Sequence, residues 1–435
     1  MKEQTQIPTG KVARASKFIQ TGAKVGGNYL KHYTKKLFDP EMSREELDQS
    51  NAEDIYNSLS ELKGSALKVA QMMSMDKNIL PTAYQQKFTM AQYSAPPLSY
   101  PLVVKTFRQY FNSGPDALFD TFTKNAVNAA SIGQVHKATK GDKTYAVKIQ
   151  YPGVANSISS DLKIVRPFAM RLLNVSGADL DRYMGEVEEK LIEETDYELE
   201  LTRGTDIAQK CAHIKGIFFA NYYPEWSSRQ ILTMDWLDGH HLGEFLRLNP
   251  SQEIRNAIGQ ALWDFYHFQI HELRQVHADP HPGNFIMRED GTLGIIDFGC
   301  IKVIPEDFYT GYFSLLRKDV HTQPEEINRL YNELEFLSPK DTPREREVFM
   351  ELFQAMTSLL GRPFHSEKFD FGQEAYFQEI FQIGEKFSQM KEIRNSSQAR
   401  GSRHGLYVNR TYFGLYNLLH DLKAHINTTK PTWLM

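Results

Sequence analysis

The chain has 435 residues, of which 41% are hydrophobic and 24% are charged, and this composition excludes a disordered or fibrous protein. The formal net charge at pH 7 is −4. No run approaches the roughly 18 consecutive apolar residues of a membrane-spanning helix, and the N-terminus lacks an apolar core, so we expect neither a span nor a secretory signal. The two cysteines, Cys211 and Cys300, lie far apart, which argues against a disulfide framework and indicates a reducing compartment.

Basic charge is concentrated at the N-terminus. Residues 1–38 carry eight basic residues and one acidic residue, a net charge of +7 that leaves −11 for the rest of the chain. This arm has a helical pattern from residue 11, with an interruption predicted at Gly26-Gly27. A basic arm on an acidic body indicates an anionic partner, such as a membrane surface, nucleic acid or the protein's own acidic face. An interfacial helix, a helix packed on its own domain and a transit peptide are all consistent with this pattern.

Residues 41–90 have the spacing of helices. One segment carries an apolar stripe, with Lys68 and Gln71 three residues apart on a neighbouring face. From the pattern alone, Lys68 is an ordinary solvated lysine on an amphipathic helix. We predict a domain boundary near residue 113, where a Ser-Gly-Pro turn interrupts the chain.

Residues 116–150 are predicted to form strands. A turn of small residues that includes Ala129, Ala130 and Ser131 runs into the first long strand, and the next strand alternates with Lys148 inside it. A loop whose backbone approaches phosphates, followed by a lysine that pairs with them, is typical of a sheet that covers a nucleotide. Taken alone, Lys148 would be interpreted as an exposed lysine on a strand.

A catalytic lysine needs a carboxylate to hold it extended. Residues 186–201 are predicted to form one acidic helix, and the pattern cannot choose among Glu193, Glu194 and Asp196. Residues 153–184 are predicted to be a helical insert. Further along, a strand that includes Asp235 ends in a turn, and its position fits the link between two lobes, where backbone groups would meet adenine.

The most informative stretch runs from His277 to Gly299. Two prolines and a glycine exclude a helix between Asp279 and Asn284, so these residues lie on a fixed loop. Two short apolar runs separated by a polar turn, the second ending at Asp297, predict a hairpin. A hairpin brings its two ends together, so we expect Asn284 beside Asp297.

One carboxylate and one amide oxygen, with phosphate oxygens and water, can form a magnesium site, which leaves Asp279 to face the acceptor. Kinases use this arrangement, an Asp-x-x-x-x-Asn loop followed by Asp-Phe-Gly. The plain alternative is an ordinary hairpin with acidic residues on its surface. The combination of the loop, the hairpin and Asp-Phe-Gly disfavours that alternative. A zinc site formed by His277, Asp279 and His281 is another alternative, but the intervening prolines make convergence of the three awkward.

After Gly299 a short apolar stretch leads directly to Pro305 and into predicted helices over 306–425, with a break near 395–405. We therefore expect no long activation loop and, without an Ala-Pro-Glu motif, no peptide-substrate platform of the protein-kinase type.

Together these motifs resemble the UbiB/AarF/ADCK family of atypical kinase-like proteins over nearly the whole chain. The matching segments are the family's opening (7–11), its Lys-x-Gly-Gln signature helix (63–71), its Ala-rich loop (128–136), its Glu-x-Asp motif (194–196) and the kinase motifs (277–284 and 297–299). The resemblance implies an α+β, two-lobed protein-kinase-like fold with an N-terminal helical extension that carries the Lys-x-Gly-Gln-type motif. The corresponding parts are a basic helical arm (1–38), the helical extension (39–113), a kinase-like N-lobe with a helical insert (114–238) and a helical C-lobe (239–435).

The resemblance also implies roles for single residues. In relatives the signature helix folds over the nucleotide pocket, so Lys68 and Gln71 would form a gate, with Lys68 contacting Glu194 or Asp196. Among the acidic candidates, the resemblance selects Glu194 as the partner of Lys148.

Two positions depart from the family pattern. Ala70 stands where the signature has glycine, which could shift how closely its helix packs, and Asn128 replaces the first alanine of the loop, which could alter phosphate contacts. Neither departure removes a charged residue, so we expect an active protein.

For function, the resemblance implies binding of ATP and Mg²⁺, slow ATP hydrolysis, and a supporting role in isoprenoid-quinone (ubiquinone or menaquinone) biosynthesis or lipid handling at a membrane. The implied residues are Asp279, Lys148 and Glu194 for catalysis, Ala129, Ala130, Ser131, Lys148 and Asp235 for the nucleotide, and Asn284 and Asp297 for the metal.

Expected partners are ATP, an anionic lipid or quinone intermediate and quinone-biosynthesis proteins, but no nucleic acid. The expected location is the cytoplasm, with peripheral contact at the inner membrane through residues 1–38. An ATP-binding scaffold that organises a biosynthetic complex and a small-molecule phosphotransferase are the alternative functions.

Overall fold

The computed structural model describes residues 45–62, 98–129, 132–173, 177–317, 319–394 and 400–428, together with Ser16, Gln20, Thr21, Lys24, Gly27 and Asn28 of the arm. The chain is divided into two compact units. The first comprises 1–202 and 221–236, and the second comprises 203–220 and 237–435. Helices and sheets occur together, which confirms the predicted α+β class. None of the helices among the described residues is both long enough and apolar enough to cross a bilayer.

The described helices are α1 (Glu45–Leu62), α2 (Tyr100–Phe111), α3 (Val154–Leu173), α4 (Gly177–Glu194), α5 (Tyr197–Cys211), α6 (Leu242–Arg247), α7 (Gln252–His271), α8 (Glu306–Ser314), α9 (Pro324–Glu333), α10 (Pro343–Leu360), α11 (Glu374–Ser388), α12 (Lys391–Arg394) and α13 (Arg403–Asp421).

The described strands are β1 (Thr121–Phe122), β2 (Asn128–Ala129), β3 (Gly133–Lys140), β4 (Lys143–Gln150), β5 (Ile217–Phe219), β6 (Ile231–Asp235), β7 (Gln275–His277), β8 (Phe285–Met287), β9 (Leu293–Ile295), β10 (Ile301–Val303), β11 (Lys368–Asp370) and β12 (His425–Asn427).

The first unit contains a five-stranded antiparallel sheet in the order β1-β3-β4-β6, with β2 also paired to β3. One face of this sheet packs against α2, where Phe107 is fully buried in a cluster with Tyr145, Val147 and Ile149 of β4. These three strand residues alternate, so they share a face, and Lys148 between them points to the opposite face. The predicted alternating strand is therefore confirmed, and α2 fixes which side of the sheet carries the lysine.

The described residues of the arm are helical, and two of them, Lys24 and Asn28, contact α1. Asn28 Nδ2 donates to Asn51 Oδ1 at 3.1 Å and to Asp54 Oδ2 at 2.9 Å, and Lys24 Nζ lies 3.9 Å from Asp54 Oδ1. These contacts favour a helix packed on its own domain, one of the three interpretations of the sequence, for this part of the arm. Gly27 is itself helical, so the interruption predicted there is wrong for this residue.

The second unit carries the predicted hairpin. Strands β8 and β9 pair antiparallel with Phe285 opposite Ile295, which confirms the hairpin after the proline-rich loop. Strands β7 and β10 also pair antiparallel, with His277 opposite Ile301, so the two ends of the 277–301 segment are held together. Because α8 begins at Glu306, the chain passes from Asp-Phe-Gly through one strand into helices, as predicted.

Two features of the second unit were not predicted. Residues 203–220, which we assigned to the N-lobe, lie in this unit because β5 pairs in parallel with β9. The C-terminal region that we predicted to be helical also contains β11 and β12, which pair antiparallel. Both pairings join segments far apart in sequence, and neither has a local turn signal that would indicate it.

Two buried histidines in the second unit make its stability depend on pH. Burial lowers the pKa of His271 to about 3, and burial also holds the pKa of the neighbouring His267 well below 6.5. The unfolded chain therefore binds protons on these rings at a higher pH than the folded chain does. Their neutral forms stabilise the fold fully above about pH 6.5, and this stability is lost as the pH falls toward 3.

Replacing His271 by glutamine is therefore expected to flatten the pH dependence of unfolding. Between pH 6 and pH 4 each such ring contributes a slope of up to about 1.4 kcal/mol per pH unit, so the free energy of unfolding of the variant should fall less steeply than that of the wild type. Urea titrations across this range measure the slope. The matched control is His425→Gln, at an exposed histidine, and an equal slope change there would contradict the assignment.

Candidate functional site

Lys148 and Glu200 form a buried ion pair in the first unit. Lys148 Nζ lies 3.0 Å from Oε1 and 2.9 Å from Oε2 of Glu200, and the two side chains are 15% and 1% exposed. The ring of Tyr197, one turn earlier on α5, lies 5.0 Å from the same ammonium group. Charges attract more strongly away from water, so this pair holds the lysine extended from β4, as phosphate-contacting lysines of kinases require.

The carboxylate partner differs from the prediction. We assigned this role to Glu194, but the structure assigns it to Glu200, six residues later. The reason is that the predicted single helix over 186–201 is two helices: α4 ends at Glu194 and α5 begins at Tyr197. This break starts a new helix, whose first turn carries Glu200 to the lysine.

Asp196, predicted as part of the gate, caps the second of these helices. Its Oδ1 accepts from Leu199 N at 3.1 Å, and its Oδ2 lies 4.0 Å from Arg229 Nε. Aspartate is a favoured residue at this position because it satisfies an unpaired backbone N–H. The break could have been predicted from the sequence, because Asp196 is a typical capping residue and a new helical pattern begins directly after it. Lys68 and Gln71, the other gating residues, lie outside the described residues.

The described residues on either side of the small-residue loop are closely packed. Asn128 pairs with Val135 and Ala129 with Gln134, while Ala130 and Ser131 lie outside the described residues. At Gly133, an added Cβ would lie 2.6 Å from the Tyr197 hydroxyl, so a side chain at this position would clash. The end of the loop is thus packed against the residue whose ring faces Lys148.

Asp235 lies at the end of β6, as predicted, but its carboxylate already accepts hydrogen bonds from other protein groups. Oδ2 accepts from Asn221 N at 3.0 Å and from Asn221 Nδ2 at 2.7 Å, and Oδ1 accepts from the Tyr223 hydroxyl at 2.7 Å. Burial and this carboxylate both raise the pKa of Tyr223, so the tyrosine remains a donor. A nucleotide contact at this position would therefore come from backbone groups, and that role stays a prediction.

In the second unit, Asp279 is held from two sides, by Asn284 of its own loop and by Arg410 of α13. Asn284 Nδ2 donates to the backbone oxygen of Asp279 at 2.9 Å and lies 3.3 Å from its Oδ2. Arg410 Nη2 of α13 lies 2.6 Å from Asp279 Oδ1, and both side chains are about 15% exposed. The sequence prediction missed Arg410, because nothing near residue 410 indicates contact with a loop 131 residues earlier.

His277 connects this loop to the Asp-Phe-Gly motif. Its ring is buried, which lowers its pKa, so the imidazole is neutral. Its Nε2 lies 2.6 Å from the backbone oxygen of Asp297, which can only accept, so Nε2 carries the proton. Its Nδ1 then accepts from the Tyr266 hydroxyl at 3.1 Å. With both ring nitrogens used, His277 cannot ligate zinc, and no set of three or more His, Cys, Asp or Glu side chains in the described chain is placed to hold a metal.

Asn284 and Asp297 stand at the two ends of the hairpin. Ile296 N donates to Asn284 O at 3.2 Å, so Asp297 follows directly after the residue that pairs with Asn284. Asp297 Oδ1 accepts from Gly299 N at 3.0 Å, which fixes the carboxylate. Because the amide nitrogen of Asn284 is committed to Asp279, its oxygen is the atom that a cation can use. One carboxylate and one amide oxygen fit the hard oxygen ligands that Mg²⁺ prefers.

Comparison with known families identifies this arrangement. A model of the ABC1 atypical kinase-like domain matches residues 90–331, more than half of the chain. The chain belongs to this family. The matched residues include Lys148, Glu200 and the 277–299 segment, so the ABC1 domain contains every described residue of the candidate site except Arg410. The resemblance to UbiB/AarF/ADCK proteins is confirmed.

Relatives of the ABC1 family share modest identity with the chain. A protein of Dictyostelium discoideum named "Probable serine/threonine-protein kinase abkA" is 24% identical over 98% of the chain and 79% of its own length. Zebrafish "Atypical kinase COQ8B, mitochondrial" and yeast "Atypical kinase COQ8, mitochondrial" are each 28% identical, over 87% and 72% of the chain. The chain spans less than two thirds of these two relatives, at 62% and 63% of their lengths.

A solved structure supports the fold. The Mycobacterium tuberculosis protein Rv3197, described as a complex with erythromycin, is 26% identical, with a TM-score of 0.58 over 88% of the chain and 95% of that protein. The kinase-like fold of the ABC1 domain is therefore shared, and the names of the relatives describe a kinase-like enzyme in general terms.

Proposed function

We propose that the chain is an atypical kinase-like ATPase that binds Mg²⁺-ATP and hydrolyses it slowly. The observation that carries the proposal is the buried Lys148–Glu200 ion pair, because a lysine held extended by a carboxylate serves in kinases to contact the phosphates of ATP. In this proposal Lys148 binds phosphate oxygens, Glu200 orients Lys148, and the small-residue loop with Ala129 offers backbone groups to the phosphates.

The second unit supplies the remaining roles. Asn284 and Asp297 would hold Mg²⁺, which when bound neutralises charge on the phosphates. Asp279 would orient the attacking water or hydroxyl and accept its proton. His277 keeps the Asp297 backbone in place through its Nε2–H bond, so the metal-binding carboxylate does not depend on the metal for its position.

Transfer to protein substrates does not fit this chain. Only six residues separate Gly299 from the start of α8, too few for the long activation loop against which protein kinases dock peptides. The proposed acceptor is therefore water, with a small molecule as the alternative.

We place this activity in isoprenoid-quinone biosynthesis or lipid handling at an inner-membrane surface. The support is the family resemblance and the COQ8 relatives, together with the net charge of +7 on residues 1–38. Each basic residue near an anionic bilayer contributes about 1 kcal/mol, so the arm is sufficient for peripheral contact. The ion pair of the exposed Lys24 with the partly buried Asp54 is long, at 3.9 Å, so lipid phosphate could replace Asp54 as the partner of Lys24.

The test is phosphate release from ATP by the full chain, with Mg²⁺ or with EDTA, and with or without vesicles containing anionic lipid. We expect Mg²⁺-dependent turnover that vesicles stimulate, and loss of the stimulation when Lys31, Lys35 and Lys36 are changed to glutamine. Tight nucleotide binding without turnover under every condition would favour a scaffold instead. Labelled phosphate recovered on an extracted metabolite rather than in solution would favour a phosphotransferase.

A further inference from the structure

The geometry points to Arg410, on the C-terminal helix α13, as the residue that positions Asp279. This inference rests on the proposed function and adds to it a residue beyond the part of the chain that the ABC1 model matches. Arg410 acts through Asp279 and is therefore a positioning residue for the reaction rather than a catalytic one.

The contact itself is short and largely buried. Arg410 Nη2 lies 2.6 Å from Asp279 Oδ1, with side-chain exposures of 14% and 15%. On its other side, Asp279 Oδ2 has a longer contact of 3.3 Å with Asn284 Nδ2. The guanidinium group thus binds Oδ1 and fixes which carboxylate oxygen faces Arg410. A charge-assisted bond of this kind selects one orientation of the carboxylate.

Helix α13 is fitted against the loop that carries Asp279. At Gly414, an added Cβ would lie 2.2 Å from Pro280 Cγ and 2.7 Å from Pro280 Cβ, so the helix backbone touches the residue next to Asp279. Arg410 is one turn before Gly414, on the same face of the helix. Two contacts, one apolar and one ionic, therefore connect the same helix face to adjacent loop residues.

The same helix is also anchored through two residues just before Arg410. Tyr407 is buried and its ring lies 4.8 Å from Lys302 Nζ of β10, and the Tyr312 hydroxyl of α8 donates to Asn409. The position of Arg410 is thus fixed by two elements that follow the Asp-Phe-Gly segment. A change in this helix would be transmitted to Asp279 through the ion pair.

The pair is better suited to orientation than to stability. The cost of removing two charges from water often cancels their attraction, so a buried ion pair contributes little net stability, although loss of one partner is costly. The guanidinium group of arginine binds a carboxylate in a defined geometry, and lysine does so less well. Arginine and lysine at position 410 should therefore differ in how well they orient Asp279.

The first arm of the test is ATP turnover. We expect Arg410→Met to lower kcat roughly 10- to 100-fold, as for other residues that orient a functional group, with KM for ATP within about twofold. Arg410→Lys should recover part of the loss. In an Asp279→Asn background, Arg410→Met should cause no further loss, because the group through which it acts is already gone. Arg403→Met, at an exposed arginine at the start of α13, is the matched control and should leave kcat unchanged.

Three results would each overturn the inference. They are losses of kcat that multiply in the double variant, a raised KM with unchanged kcat in Arg410→Met, and faster turnover in Arg410→Met. The second arm does not need turnover: Arg410→Met should lower Tm more in the wild-type background than in the Asp279→Asn background. Equal Tm losses in the two backgrounds would show that the residues are not coupled. If the wild-type chain hydrolyses no ATP, the proposed function fails, while the Tm comparison still decides whether Arg410 holds Asp279.

Discussion

Replacing Asp297 by asparagine is expected to abolish Mg²⁺-dependent ATP turnover, with a fall in kcat of roughly 10³-fold. Asparagine keeps the shape of the side chain and an oxygen that can accept from Gly299 N, so the local turn should survive. What is lost is the negative charge that the magnesium ion needs. A loss of this size corresponds to about 4 kcal/mol of transition-state stabilisation.

The matched control is Asp290→Asn, in the turn of the same hairpin. Asp290 is exposed and accepts from Thr292, a bond that asparagine can also accept, so turnover should stay near the wild-type value. Phosphate release at several Mg²⁺ concentrations gives kcat and the apparent metal affinity for each protein. Full activity of Asp297→Asn would remove Asp297 from the metal site.

Replacing Glu200 by glutamine should have the second largest effect, because it acts on both activity and stability. The substitution leaves Lys148 without this carboxylate in a site where Glu200 was 1% exposed, and breaking a buried pair in this way costs about 3–5 kcal/mol of folding free energy. We expect ATP turnover to fall roughly 10²-fold, since the lysine is no longer held toward the phosphates.

Three variants separate this effect from a general loss of acidic charge. Glu198→Gln changes an exposed glutamate on the same helix and should alter neither turnover nor Tm appreciably. Glu194→Gln tests the residue that the sequence had favoured. If Glu194→Gln destabilised the protein more than Glu200→Gln, the partner of Lys148 would have to be reassigned. Urea unfolding and phosphate release on the same preparations give both readouts.

The parts of the fold that could be predicted depend on local patterns. The hairpin at 285–295 has apolar runs on both sides of a polar turn, and β4 alternates with a single lysine, so each element is defined within about ten residues. The short path from Gly299 to α8 could be predicted equally well, because Gly299 and Pro305 mark its two ends.

The parts that were missed depend on tertiary contacts or on a single capping residue. Glu200 was overlooked because an acidic run looks like one continuous helix unless Asp196 is recognised as a cap. Arg410 was overlooked because an arginine on a helix is usually solvated, and only the packing of Gly414 against Pro280 brings it to the loop. The parallel pairing of β5 with β9 likewise depends on the fold, since no turn connects the two strands.

The route of the chain between its two units limits how the protein can be divided. The chain changes unit after Thr202, after Ala220 and again after Trp236. A single cleavage after Trp236 would leave β5 on the N-terminal fragment, although β5 is hydrogen-bonded to β9 and Leu293 N donates to Gly216 O at 2.8 Å. Neither fragment is therefore a complete folding unit. An N-terminal fragment expressed alone would leave the backbone groups of β5 without the hydrogen-bond partners that β9 supplies.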